Sequence, residues 1–250
     1  VTLSNSDPLV GKDAFSQRKW DDRSIAVVKT SLLSRTIDDR DRARLLAAQE
    51  HHSGDWLHAP PITSVGLRLS DECIRIAVGL RLGSTLCEPH TCPCGTLVDA
   101  RGTHGLSCRK SAGRHLQRHS LLNDIIWRSM GRAKIQSSKE PLGLARDDGK
   151  RPDGVSLIPW TLRKCVAWEV TVHNTFALLH VQSSAAFAGS AAAKAAALKR
   201  EKYSGLEATH VFIPVAMETT GVLDKEALDF ISDLGKRLSA ATGDPRECAY

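Results

Sequence analysis

The sequence predicts an α/β domain preceded by a small metal-organised knuckle and a mostly helical amino-terminal segment. Three observations carry that expectation. From His115 onward, helical spacing of apolar residues gives way to three strand-like runs, an Ala/Lys-rich helix, a further strand and a last helix. Four of the seven cysteines fall between Cys87 and Cys108, in a stretch rich in His, Gly and Pro with no regular period. Residues 1–86 read as mainly helical, so the expected units are 1–86, 87–110 and 111–250. With 250 residues, 42% hydrophobic and 25% charged, the chain can bury one good core and a smaller satellite.

In chain order, "RTIDDRDRARLLAAQE" is a charged helix and "SDECIRIAVGLRLG" another, which Ser70 caps and Gly83 stops. The stretch "HHSGDWLHAPPITS" between them is a loop. In "HSLLNDIIWRSM", His119 and Asn123 are four residues apart and share a helix face, with Leu121, Leu122, Ile125 and Ile126 as the apolar side. The strand candidates are "SSKEP", "PDGVSLIPW", "KCVAWEVTV" and "THVFIPVAMET". Alanine makes "SAAAKAAALKREKY" a helix. In "LDKEALDFISDLGKRL" a core stripe runs through Leu223, Ala227, Phe230, Ile231, Leu234 and Leu238.

No apolar run reaches the roughly 20 residues of a membrane span, and the start lacks the basic and apolar regions of a signal peptide. A first residue of Val fits a fragment of a longer chain. The net charge is only +6, yet residues 101–151 hold twelve Lys/Arg against four Asp/Glu. So concentrated a positive field suits a polyanion such as nucleic acid; a solvated basic surface is the plainer alternative. Arg114, Arg118, Arg128 and Arg132 read as phosphate contacts, with Lys150 and Arg151 beside them. An aromatic content of 5% argues against a stacking platform for single-stranded RNA.

Clustered thiols favour metal binding in a reducing compartment over disulfides. Cys92-x-Cys94, nine residues, then His104-x3-Cys108 make a CCHC set, and Gly95, Gly102 and Gly105 permit tight turns. Thiolate and imidazole ligands suit zinc, and four protein ligands would make the site structural. Cys87 and His90 compete for places in the quartet.

In "KCVAWEVTV" strand parity puts Val166, Trp168, Val170 and Val172 on one face and Ala167, Glu169 and Thr171 on the other. A mid-strand carboxylate among small residues is costly to bury unpaired, so Glu169 needs a cation. Asp153 precedes it by fifteen intervening residues, and a hairpin can bring the two together. Two carboxylates with waters make a hard-cation site for Mg2+ or Mn2+, which would polarise a phosphodiester and activate water. A structural salt bridge from Glu169 to an arginine is the alternative.

The residues "RPDG", "EVT" at its fixed distance, the helix ending "KREKY" and the strand "THVFIPVAMET" resemble the PD-(D/E)XK restriction-like nuclease superfamily. More narrowly, the CCHC set followed by "HSLLNDIIW", "KEP", "KRPDG" and "WEVTV" is similar to the carboxy-terminal region of non-LTR retrotransposon polyproteins, over about Cys87 to Leu238. The resemblance implies a restriction-endonuclease-like α-β-β-β-α-β core with a carboxy-terminal helix, and a segment 1–86 that follows a polymerase. It implies a nuclear, Mg2+-dependent endonuclease that nicks double-stranded target DNA to prime reverse transcription, partnered by an upstream reverse transcriptase and element RNA. Asp153 and Glu169 would ligate the catalytic metal. The family lysine two positions after the glutamate is Thr171 here, so Lys199 or Lys202, with Tyr203 beside them, would supply the basic group, unless they are only a solvated face. Glu140 is either a third acidic group or an ordinary strand-end residue. The rival readings are a stand-alone junction-resolving nuclease and, because of Thr171, an inactive nucleic-acid-binding module.

Overall fold

A mixed four-stranded sheet organises the second half of the chain. The computed structural model describes residues 17–63, 68–108, 110, 112–146 and 148–245, and the side chains of all these except residues 18 and 112–115. Arg114, an expected phosphate contact, therefore lies outside the described side chains. Among the described residues there are seven α-helices: α1 (Gln17–Arg35), α2 (Asp39–Gln49), α3 (Asp71–Leu82), α4 (Ala112–Arg132), α5 (Val181–Ala186), α6 (Ser190–Lys202) and α7 (Lys225–Thr242). A short antiparallel hairpin pairs β1 (His90–Thr91) with β2 (Leu97–Val98). The larger sheet has the order β3 (Ser137–Lys139), β4 (Gly154–Ser156), β5 (Cys165–His173), β6 (His210–Glu218). Its first three strands are antiparallel neighbours, and β6 runs parallel to β5. No helix among the described residues is long and apolar enough to cross a membrane.

The amino-terminal helices follow their capping chemistry. Ser70 Oγ accepts from Cys73 N (3.2 Å), and Gly83, at φ +72°, ends α3 by donating to Gly79 O. The single helix expected over residues 35–50 starts later. Asp38 is the N-cap of α2, accepting from Asp41 N, so α1 stops at Arg35 and α2 starts at Asp39.

Both faces of the sheet are covered. On one, Val166, Trp168 and Val170 pack against Ile126 and Met130 of α4 and Phe230, Leu234 and Leu238 of α7. On the other, Ala167 meets Tyr203 and Phe212, while Ala192, Ala195 and Ala196 let α6 approach Ala216 closely. The expected apolar stripes are narrower than the sequence suggested. Leu121 and Ile125 stay more than half exposed, and Ile231 is 38% exposed, because each points about 100° away from the buried line of its helix.

The edge strand β6 carries a proline without loss. Ala216 O accepts from Asp224 N and Glu218 N donates to Val222 O, so even-numbered residues direct their backbone groups away from β5. Pro214 shares that parity, and its missing N–H removes no ladder bond. At the end of the same strand, buried Glu218 accepts through Oε1 from Ala191 N (2.9 Å), a carboxylate on the positive end of α6. Arg200 fastens the other end of α6 to Glu207 and Glu226. The helix is thereby held at both ends across β5.

Gly154 is required for packing. A Cβ there would overlap the buried Trp168 ring directly across the β4–β5 pair. Gly154→Ala is expected to cost roughly 1–3 kcal/mol or more, read as a lower urea midpoint at unchanged slope.

Candidate functional site

Strand register creates the carboxylate site. Gly154 pairs with Trp168, and continuing that antiparallel register by one residue sets Asp153 opposite Glu169. Asp153 Oδ2 accepts from Val170 N (2.6 Å) and from His119 Nε2 (2.9 Å), and the carboxylate is 13% exposed. Its hydrogen bond to Asp153 pulls the His119 pKa up, against the opposing effect of partial burial.

Glu169 is 5% exposed, and among the described residues its carboxylate is held by α6 and the residue that follows it. Oε1 accepts from Lys199 Nζ at 2.7 Å and from Lys202 Nζ at 3.4 Å, while Tyr203 OH lies 3.3 Å from Oε2. Lys199 and Lys202 are three apart, so successive turns of the helix deliver both ammoniums to one oxygen. Tyr203 OH also sits 2.8 Å from Arg151 O and accepts from Lys202 Nζ. Burial first, then the Glu169 charge, pushes the Tyr203 pKa well above its ordinary value, keeping it a neutral donor.

Of the residues expected at this site, Lys199 and Lys202 lie against Glu169, and Asp153 stands opposite Glu169 by strand register. Thr171 is buried on the same face as Glu169, with its hydroxyl 3.4 Å from His173 Nδ1. The ammonium beside Glu169 comes from α6 instead. Glu140 lies just beyond β3 and its carboxylate pairs with Arg151. It donates its backbone N–H to Asp153 O (2.9 Å) with a φ of +45°.

The basic residues divide. Arg128, Arg132 and Lys150 are exposed. Arg151 is half-buried against Glu140. Arg118 is partly buried: its guanidinium donates to Leu106 O (2.8 Å), and burial lowers its pKa. It is a strut between α4 and the knuckle. The buried Asn123 accepts from Trp168 Nε1 and donates to Asp153 O, a role the sequence does not single out. Its i, i+4 spacing from His119 was the available signal.

A second cluster sits in the knuckle. The ligand atoms of Cys92, Cys94, His104 and Cys108 all lie within 4.8 Å of one another. Cys92 Sγ is 3.6 Å from Cys108 Sγ, and Cys94 Sγ is 3.2 Å from His104 Nε2. Ligands about 2.0–2.3 Å from a tetrahedral zinc are separated by roughly 3.3–3.8 Å, so the quartet suits that ion. The turn that gathers them is closed by Gly95 N to Cys92 O and Cys92 N to Thr96 O, with Gly95 at φ +91°. Hydrogen bonding to Thr96 brings the Cys94 pKa down to about 6, toward the thiolate that a metal binds. Cys87 lies against Asp99 O and exposed His90 against Glu88 O, and neither belongs to the quartet of ligand atoms that lie within 4.8 Å of one another. Arg101 to Asp41 (2.7 Å) and Arg40 to Asp99 (3.3 Å) lock the knuckle to α2.

A mostly apolar cavity of about 490 Å3 lies elsewhere, lined by residues including Trp56, Leu80, Leu122, Phe176 and Met217 and by neither site carboxylate. No family model matches the chain, and no curated protein is significantly similar to it.

Proposed function

We propose that this chain is a metal-dependent DNA endonuclease with a restriction-endonuclease-like core. The observation that carries the reading is the β4–β5 register, which extended by one residue sets Asp153 opposite Glu169, with Lys199 Nζ 2.7 Å from Glu169. The order α4, β3, β4, β5, α6, β6, with β6 parallel to β5, supports the fold assignment, with α5 as an addition. Asp153 and Glu169 would hold Mg2+ or Mn2+. Bound there, the ion supplies Lewis-acid polarisation of the phosphodiester and a water of lowered pKa.

The chain's own residues do the rest. Lys199 remains close enough to Glu169 to orient the attacking water and balance charge developing on phosphorus, the task Thr171 cannot perform. Lys202, held by Tyr203, offers a second ammonium to the phosphate. Exposed Arg128, Arg132 and Lys150 supply affinity without reading sequence. A role in nicking target DNA for reverse transcription, with a polymerase domain, element RNA and a nuclear setting, rests on the sequence resemblance alone.

One observation favours a second reading, an inert nucleic-acid-binding module. Each carboxylate already has a basic partner within the protein, His119 for Asp153 and Lys199 for Glu169. Conversion of supercoiled plasmid to nicked circles in Mg2+, abolished by EDTA, separates the two. Lys199→Ala is expected to lower nicking about 100-fold, with part retained in Lys199→Arg. It also removes the nearer partner of a buried carboxylate, so a stability loss of roughly 1–3 kcal/mol in urea titration accompanies it.

A further inference from the structure

Asp153 is held from more directions than a hairpin requires. Its Oδ2 accepts from Val170 N and His119 Nε2, and its main-chain oxygen accepts from Glu140 N and from Asn123 Nδ2 at 3.2 Å. Two of the four donors are side chains from successive turns of α4. Asn123 is 7% exposed, and its amide orientation is fixed by chemistry. The Trp168 indole can only donate, so Asn123 Oδ1 must face it (2.8 Å), which aims the amide N–H at Asp153. Trp168 is fully buried and packed against Gly154. A continuous path therefore runs from the core through Asn123 to the residue before β4. Oδ1 of Asp153, by contrast, accepts no hydrogen bond from any described residue.

We propose that His119 and Asn123 are positioning residues for the metal: they clamp Asp153 by Oδ2 and by its carbonyl, so that Oδ1 is the oxygen presented to the ion. This rests on the nuclease reading and deepens it. Groups that orient a ligating carboxylate without touching the ion set its affinity, and their loss typically weakens binding about 10- to 100-fold.

The test is Mn2+ binding by the full chain, read from the electron paramagnetic resonance signal of free Mn2+, with urea stability measured in parallel. Wild type is expected to bind Mn2+ at a site lost in Asp153→Ala. His119→Ala and Asn123→Ala are each expected to weaken that site about 10-fold or more. His119→Gln, whose amide N–H can reach the same oxygen, is expected to recover most of the affinity. Should Asn123→Ala fail to fold, the half-exposed His119 still decides the matter through the Ala and Gln pair. Unchanged Mn2+ affinity in His119→Ala would overturn the positioning role while leaving the metal site intact. Equal Mn2+ binding by wild type and Asp153→Ala would instead overturn the metal site itself, and the positioning role with it.

Discussion

Glu169→Gln is expected to abolish metal-dependent nicking, a loss of at least about 10²–10³-fold, while leaving the protein folded. Two effects compete in this substitution. The amide keeps the size of the side chain and one oxygen, which can accept from Lys199, while its NH2 can donate to the Tyr203 hydroxyl oxygen, so packing on the α6 face is preserved. It removes the charge that a divalent cation needs, and no neighbour can replace that charge. Glu140 is turned toward Arg151, and Thr171 offers only a hydroxyl. Lys199 and Lys202 are about one-quarter exposed, so both ammoniums can turn to water once the carboxylate is gone. Stability is therefore expected to change far less than activity. A variant inactive because unfolded would show itself in the loss of the near-ultraviolet signal of the buried Trp168.

Cys108→Ser is expected to release a bound zinc and unfold the knuckle, with the larger effect on thermal stability. Cys108 is buried, and its sulfur is 3.6 Å from that of Cys92. Structural zinc sites contribute on the order of 10–16 kcal/mol of apparent binding free energy, and the short β1–β2 hairpin has little core to replace it. Its anchors to the rest of the chain, Arg101 to Asp41 and Arg118 to Leu106, form only when the knuckle is folded. The sheet core of Trp168, Met130, Phe230 and Leu234 lies outside the knuckle, so the α/β domain is expected to survive with a looser amino-terminal half. Elemental analysis is expected to return one zinc per chain for wild type and none for the variant, with a lowered Tm. Equal metal content and equal Tm would contradict the structural zinc.

Much of this site was legible because strands and caps are local. Parity alone isolates Glu169 from Trp168 and Val170, and the Asp153 spacing fits a hairpin whose register the structure bears out. Ser70 and Gly83 mark their helix without tertiary information, and Asp38 could have marked the start of α2 in the same way. Packing decided the remainder. The alanines of α6 fix which of its lysines overhang Glu169: Lys199 and Lys202 do, and Lys194 is exposed. Spacing put His119 and Asn123 on one face of α4, but only the sheet beneath shows that the face looks at Asp153. Arg118 looked like a phosphate contact because nothing local reveals that the knuckle folds over it. Spacing likewise leaves Cys87 and His90 open as ligands, and only the three-dimensional clustering of Cys92, Cys94, His104 and Cys108 separates them from the quartet.

The most direct measurement is single-turnover nicking of supercoiled plasmid by wild type, Asp153→Ala and Glu169→Ala, with DNA affinity measured on the same preparations. The proposed function predicts Mg2+-dependent nicking by wild type, its loss in both variants and in EDTA, and DNA binding retained by all three. Wild type and variants that bind DNA alike and are equally inert with Mg2+ or Mn2+ would contradict it, and would leave the carboxylates as ion-pair partners in a nucleic-acid-binding module.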